Sequence, residues 1–433
     1  MGIRSVRQAG SLRGAVAVPG DKSISHRALI LAALAEGETR IEGLGSGADV
    51  RATLRALRAL GARIDEARGV VTVQGAGPRG LSTPAAPIDC GNSGTTMRLL
   101  AGALAGAGIP ATLDGDESLR RRPMGRVLEP LRTMGARARG AGGDRERAPL
   151  RLEGGRLRGA AHRLPVASAQ VKTALLLAGL QAEGPTRVWE PHLSRDHGER
   201  MLAAFGADLR RDDGEWIEIR PGALRSPGAI AIPGDPSSGA FLIAAAILLP
   251  GSSIEVGDVG VNPTRIGWIE VLRRMRARVE AEAVDLAAGE PRGIIRARGG
   301  APLLATDVGP EEIPALVDEV PILAVVATQA SGTTTIRGAG ELRVKESDRL
   351  AGIAASLRRM GAAVDELPDG LAVHGPTPLA GAEVDAAGDH RLAMGLAVAG
   401  LAASGETRIQ GAEWADVSFP GYFDVLAALA TTR

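Results

Sequence analysis

A short phrase recurs along the chain and constrains its fold more than any other feature. Gly37-Glu-Thr-Arg-Ile-Glu-Gly43 returns almost verbatim as Gly405-Glu-Thr-Arg-Ile-Gln-Gly411. Looser copies are IPATLDGD from 109, GPTRVWEP from 184, GSSIEVGD from 251 and GTTTIRGA from 332. Each follows an apolar run of small residues, such as SISHRALILAALAEG or SSGAFLIAAAILLPG, and the runs begin near 23, 93, 168, 237, 320 and 389. Five of the phrases are followed by an amphipathic stretch such as VRATLRALRALGARID or RLAGIAASLRRMGAAVD, and the last copy closes on YFDVLAALA. A repeat of this kind has to be recognised before any single element is assigned.

The unit reads as buried helix, strand, amphipathic helix, then strand or hairpin. The first helix is apolar all round, as a helix inside a domain must be. The second carries Leu and Met at i, i+3, i+4 spacing with Arg outward, and the strand between them is β-branched and bounded by glycine. Six α/β units of about 70 residues are too large for a thin solenoid, whereas three per domain give two domains of ordinary size. The expected division is 20-234 for an N-terminal three-unit domain and 235-433 plus 1-19 for a C-terminal one. The strand-like RSVRQAGSLRGAVAVP at the start then completes the short last unit, so the chain crosses a hinge twice.

Composition narrows the function. With 51 Lys+Arg against 50 Asp+Glu the net charge is +1, which argues against nucleic-acid packaging. No run of about 18 apolar residues is present to span a membrane, and the first 20 residues show no apolar leader core; a cytoplasmic protein is expected. The single cysteine, Cys90, excludes an internal disulfide framework and any multi-cysteine metal site. Aromatics are 2%, so the core must be Ala, Leu, Val and Ile. Only Lys22, Lys172 and Lys345 are lysines. A coding bias explains most of that, but under it a surviving lysine tends to sit where an ammonium cannot be replaced by a guanidinium.

The buried helices begin with polar clusters: Gly20-Asp-Lys-Ser-Ile-Ser-His-Arg27, Gly91-Asn-Ser-Gly-Thr-Thr-Met-Arg98, Ala167-Ser-Ala-Gln-Val-Lys172, Gly234-Asp-Pro-Ser-Ser-Gly239, Asp318-Glu319 and Gly388-Asp-His-Arg391. Each alone reads as an N-cap. Capping does not require Lys22, Arg27, Arg98 or Arg391, whose charge opposes the helix dipole. A bound phosphate or carboxylate reverses the sign of that cost. In Leu342-Arg-Val-Lys-Glu-Ser-Asp-Arg349 the i, i+4 spacing of Lys345 and Arg349 reads as a salt-bridged surface helix, and Asp196 reads as a cap for the helix opened by HLSRDHGER. Arg120 and Arg121 read as a solvated charge run. No nucleotide phosphate loop or dinucleotide fingerprint is present. Of the six histidines, His26 and His390 lie in the helix starts, while His162, His192, His197 and His374 read as surface residues.

At DKSISHR, GNSGTTMR, RRPMG, ASAQVK, ELRVKESDR and DHR the chain closely resembles the 5-enolpyruvylshikimate-3-phosphate synthase family, with the motifs in family order from about residue 18 to 424. The resemblance implies an α/β fold of the inside-out α/β barrel type, with two similar three-unit domains and a cleft between them; closure on substrate is expected because two cationic half-sites repel until an anion sits between them. It implies transfer of enolpyruvyl from phosphoenolpyruvate to the 5-hydroxyl of shikimate-3-phosphate. By motif position Lys22, Ser23, Arg27, Ser168, Gln170, Arg195, Asp318 and Lys345 match the shikimate-3-phosphate site. Lys22, Gly94, Arg122, Gln170, Arg349 and Arg391 match the phosphoenolpyruvate site. Asp318, Glu346 and Lys22 match the catalytic groups. No cofactor, metal, nucleic acid or membrane is implied, and a monomer is expected. Departures from the family pattern are Ala169, Glu341 and the Val417 segment. Two alternatives remain open on sequence. One is the sister enzyme acting on UDP-N-acetylglucosamine, which usually carries a reactive cysteine where this chain reads DGDESLRRRPMG. The other is a non-catalytic repeat scaffold that binds anions.

Overall fold

The computed structural model describes residues 2–143, 146–212 and 215–431. It divides into two compact units. One is Gly20–Ile232 with Leu286–Glu290, and the other is Met1–Pro19, Pro233–Asp285 and Pro291–Arg433.

In the first unit, α1 (Lys22–Leu34) leads into strand Ala35–Glu42 and α2 (Ala48–Ala59). Next, α3 (Gly94–Ala107) leads into strand Ala111–Asp114, the short α4 (Glu117–Arg121) and α5 (Gly125–Thr133). The third repeat is α6 (Ala169–Gly179), strand Thr186–Trp189 and α7 (His197–Ala204). The second unit repeats the plan with α8 (Pro236–Leu248), strand Ser253–Gly260 and α9 (Gly267–Arg274). It continues through α10 (Val320–Ala327), Gly332–Ile336 and α11 (Arg349–Arg359), then α12 (His390–Ala402), Glu406–Gln410 and α13 (Tyr422–Leu429). All six apolar runs are helices, and all six recurrent phrases are strands.

Burial follows the pattern of side chains. Every residue of α1 from Ile24 on, and every residue of α12 before Ala402, is buried. Small side chains allow this: on α3, a Cβ added at Gly102 would lie 2.1 Å from the carbonyl oxygen of Ala174 on α6, so the two helices meet backbone to backbone. By contrast α2 buries Val50, Leu54 and Leu57 and exposes Arg51, Arg55 and Arg58.

Each recurrent strand lies between one parallel and one antiparallel neighbour. Ala35–Glu42 runs parallel to Ala229–Ala231 and antiparallel to Val70–Ala76. Ser253–Gly260 runs parallel to Ser11–Ala17 and antiparallel to Glu290–Arg298. In the last repeat Ile3–Arg7 fills the antiparallel place beside Glu406–Gln410, and Glu383–Asp385 fills the parallel one. Six small sheets of three to five strands result among the described residues. Among the described residues no helix is long and apolar enough to cross a membrane.

Candidate active site

In the first unit the starts of α1, α3 and α6 are bonded into one polar cluster. Asp21, Ser93 and Ser168 cap them, accepting from the N–H groups of Ile24, Thr96 and Val171, so the capping role and any ligand role coexist on the same turns. Lys22 Nζ lies 3.1 Å from Asp49 Oδ2. A buried chain of bonds runs from His26 Nδ1 to Thr53 and on to Thr96 and Ser93. Arg27 is buried and donates to the carbonyls of Ser23 and Ala169 and to Thr173 Oγ1. Arg98 donates to Gln170 Oε1 at 2.7 Å and to the Pro123 carbonyl, while Gln170 Nε2 donates to Thr95. Arg122 donates to Asn92 Oδ1, and its NH1 would lie 3.3 Å from a Cβ on Gly94.

The electrostatics follow from burial. Burial pulls the Arg27 guanidinium down to about 10, with Arg195 adding to the shift and Glu199, Asp21 and Glu290 opposing it, so it stays charged at neutral pH. Burial, helped by Lys22 and Arg27, holds the His26 imidazole well below its usual value. That leaves a neutral ring among cations, able to shape the turn without adding charge.

In the second unit the starts of α10, α11 and α12 converge on Arg349, the first residue of α11, which is 1% exposed. Its Nε donates to Asp389 Oδ2 at 2.7 Å, NH1 to Asp318 Oδ1 at 3.2 Å and NH2 to Glu346 Oε2 at 2.6 Å. Burial opposes its charge, but the attraction of Asp389, Glu346 and Asp318 outweighs burial and holds it above its ordinary value. Arg391 reaches the other Asp318 oxygen at 3.4 Å and the Asp318 carbonyl at 3.2 Å. Behind them Glu319 is fully buried and lies 3.1 Å from Arg265 and 3.6 Å from Arg391. Two carboxylates, Asp318 and Glu346, are therefore held on one guanidinium with arginines around them. Such a frame suits binding of anions and movement of protons.

Several sequence expectations are corrected. Lys345 and Arg349 do not share a helix face. Gly340–Val344 is a 3-10 turn, and Asp348 breaks the run by capping α11 while also holding Arg343. Lys345 pairs instead with Glu341 at 3.0 Å. Asp196 occupies the cap position of α7, yet its side chain makes no cap bond and its carboxylate takes the Arg200 side chain. His162 and His197 are buried, and His197 Nδ1 meets Glu290 Oε1 at 2.8 Å, whereas His192 and His374 are exposed or partly so. Arg120 and Arg121 are exposed, as expected. Sequence reasoning passed over Asp49, Arg265 and Glu290. Each is a single charged residue with no local pattern, and the only signal was a charge next to an apolar stretch.

The fold and the two clusters define an α/β protein whose buried helices open on bonded basic and carboxylate side chains. Its fold is similar to that of the enolpyruvyl transferase NikO from Streptomyces tendae, with TM-score 0.79 at 21% identity over 100% of this chain and 98% of that one. The family model for EPSP synthase (3-phosphoshikimate 1-carboxyvinyltransferase) matches residues 6–426, and the chain belongs to that family. The 3-phosphoshikimate 1-carboxyvinyltransferase of Synechococcus sp. (strain JA-3-3Ab) is 53% identical over 431 residues, 99% of this chain and 96% of that protein. The EPSP synthase structure from Acinetobacter baumannii is similar with TM-score 0.87 and 40% identity, covering 99% of this chain and 98% of the other.

Proposed function

We propose that the chain is a 3-phosphoshikimate 1-carboxyvinyltransferase. It moves the enolpyruvyl group of phosphoenolpyruvate to the 5-hydroxyl of shikimate-3-phosphate and releases phosphate, a step of aromatic biosynthesis. The observation that carries this reading is Arg349, one buried guanidinium that orients both Asp318 and Glu346. The new carbon–oxygen bond requires loss of the hydroxyl proton, and activation of the enol requires protonation of the methylene carbon. Asp318 takes the first proton and Glu346 delivers the second, with Lys22 against both substrates; loss of a proton from the resulting methyl then expels phosphate and restores the carbon–carbon double bond.

Shikimate-3-phosphate is held by Lys22, Ser23, Arg27, Ser168, Gln170, Arg195, Asp318 and Lys345. Phosphoenolpyruvate is held by Lys22, Gly94, Arg122, Gln170, Arg349 and Arg391. Ser168 accepts a backbone N–H in its cap, which leaves its own hydroxyl proton for a phosphate. The chain works as two three-repeat domains, 20-234 and 235-433 plus 1-19, and as a cytoplasmic monomer on its substrates alone.

Phosphate release on mixing the two substrates in the presence of a chelator tests this reading. Release with UDP-N-acetylglucosamine instead points to the sister enzyme, and release with neither points to a scaffold. The sister chemistry is already disfavoured by Cys90, which is fully buried and whose thiol burial pushes up, with Asp89 and Asp114 adding to the shift.

A further inference from the structure

Lys172 is fully buried near the start of α6. Its ammonium lies 2.6 Å from Glu190 Oε1, 2.7 Å from Glu199 Oε1 and 3.5 Å from the Ser194 carbonyl. Glu190 Oε1 also accepts the Ser194 N–H at 2.9 Å. One ammonium thus ties the beginning of the loop 190–196, its middle and the helix beyond it. An ammonium spreads three donors tetrahedrally, whereas a guanidinium lies in a plane; this accounts for a lysine here in a chain of arginines. As a stability device the cluster is poor, because taking three charges out of water costs about as much as their attraction returns. Burial indeed pushes the Glu199 carboxyl up despite Lys172 beside it.

The loop carries Arg195 directly after Ser194. The start of α7 packs on α6 so closely that a Cβ on Gly198 would lie 2.4 Å from Thr173 Oγ1, and Thr173 Oγ1 receives Arg27 NH2 at 3.1 Å. Arg195 and Arg27 are near enough to repel one another. Glu199, Asp21 and Glu290 act on Arg27 more strongly than Arg195 does, and the bonds of Lys172 to Glu190, Glu199 and the Ser194 carbonyl fix the chain on both sides of Arg195.

We propose that Lys172 is a positioning residue whose ammonium holds the loop 190–196 so that Arg195 stands beside Arg27 as a pair for the phosphate of shikimate-3-phosphate. This rests on the reading of those two arginines as shikimate-3-phosphate contacts. The test compares steady-state kinetics and melting temperature of the full-length wild type, Lys172→Met, Glu190→Gln and Arg195→Ala. Lys172→Met is expected to raise KM for shikimate-3-phosphate at least about tenfold while kcat and KM for phosphoenolpyruvate change less than about twofold. Glu190→Gln keeps an acceptor for Lys172 and Ser194 but removes the charge, so it gives the same split at smaller amplitude, and it decides the matter where Lys172→Met does not fold. An unchanged KM for shikimate-3-phosphate in both loop variants, with a raised one in Arg195→Ala, overturns the proposal and leaves the functional reading standing. A lowered melting temperature with no selective KM change also overturns it, as a purely structural role. An unchanged KM in Arg195→Ala overturns the phosphate assignment itself.

Discussion

A methyl group added at Gly94 should report directly on the polar cluster at the start of α3. Gly94 is the first residue of α3 and its backbone is ordinary, so alanine costs nothing there in strain. Its Cβ would lie 2.7 Å from Arg98 NH1 and 3.3 Å from Arg122 NH1. Ordinary contact needs about 3.5 Å, so the Arg98 tip must retreat by roughly 0.8 Å. Arg98 NH1 is bonded to Gln170 Oε1 at 2.7 Å. Movement along that bond stretches it to about 3.5 Å, the edge of a hydrogen bond. A charged bond contributes about 1.5–3 kcal/mol, and water recovers part of that at this partly exposed pair, leaving a loss of about 1 kcal/mol. That is roughly a fivefold rise in KM for phosphoenolpyruvate. The assay is initial-rate phosphate release at saturating shikimate-3-phosphate, with phosphoenolpyruvate varied. An unchanged KM for phosphoenolpyruvate in Gly94→Ala would refute the reasoning.

Four further outcomes are expected. Arg349→Lys cannot serve Asp389, Asp318 and Glu346 together and should lower kcat at least about 100-fold, measured by the same assay; a smaller loss counts against Arg349 as the orienting group. Lys22→Arg places a larger planar cation beside Asp49 and should lose at least about tenfold in kcat/KM, with retained activity arguing against direct substrate contact. The His26 imidazole stays neutral in the folded chain while the unfolded one protonates below about 6.5, so the unfolded state binds the extra proton and stability falls with pH below that value. The slope is about 1.4 kcal/mol per pH unit for one group, and urea unfolding at pH 7.5 and 5.5 should show it reduced in His26→Asn, an equal slope counting against the assignment. Gly102→Ala gains about 1 kcal/mol in helix propensity but drives a methyl into the α6 backbone, so a net loss of about 2 kcal/mol or more is expected from urea unfolding; no loss would mean the helices do not meet as closely as described.

Much of this protein is legible in its sequence because the information is local and repeated. A run such as SSGAFLIAAAILLPG has no polar face, and that alone requires a helix buried on all sides. Six copies of a glycine-bounded β-branched phrase require six strands in equivalent settings. The polar residues that open the buried helices are equally visible, since caps and basic first turns are written within a few positions. The lysines also stand out, in a chain where 48 of 51 basic residues are arginine.

Tertiary structure decided what depends on residues far apart in the chain. That Arg349 gathers Asp318, Glu346 and Asp389 follows from the convergence of three helix starts, and nothing in ELRVKESDR distinguishes that from a salt-bridged surface helix. His197 and His162 read as surface residues, yet the first is enclosed against Glu290 and the second is buried. Lys172 shows its meaning only once Glu190, Ser194 and Glu199 surround it. Sequence determines which segments must be buried and which turns are polar, because both follow from hydrogen bonding and hydrophobicity within a few residues. Which charge meets which is settled by the register of packed elements, and no local pattern records it.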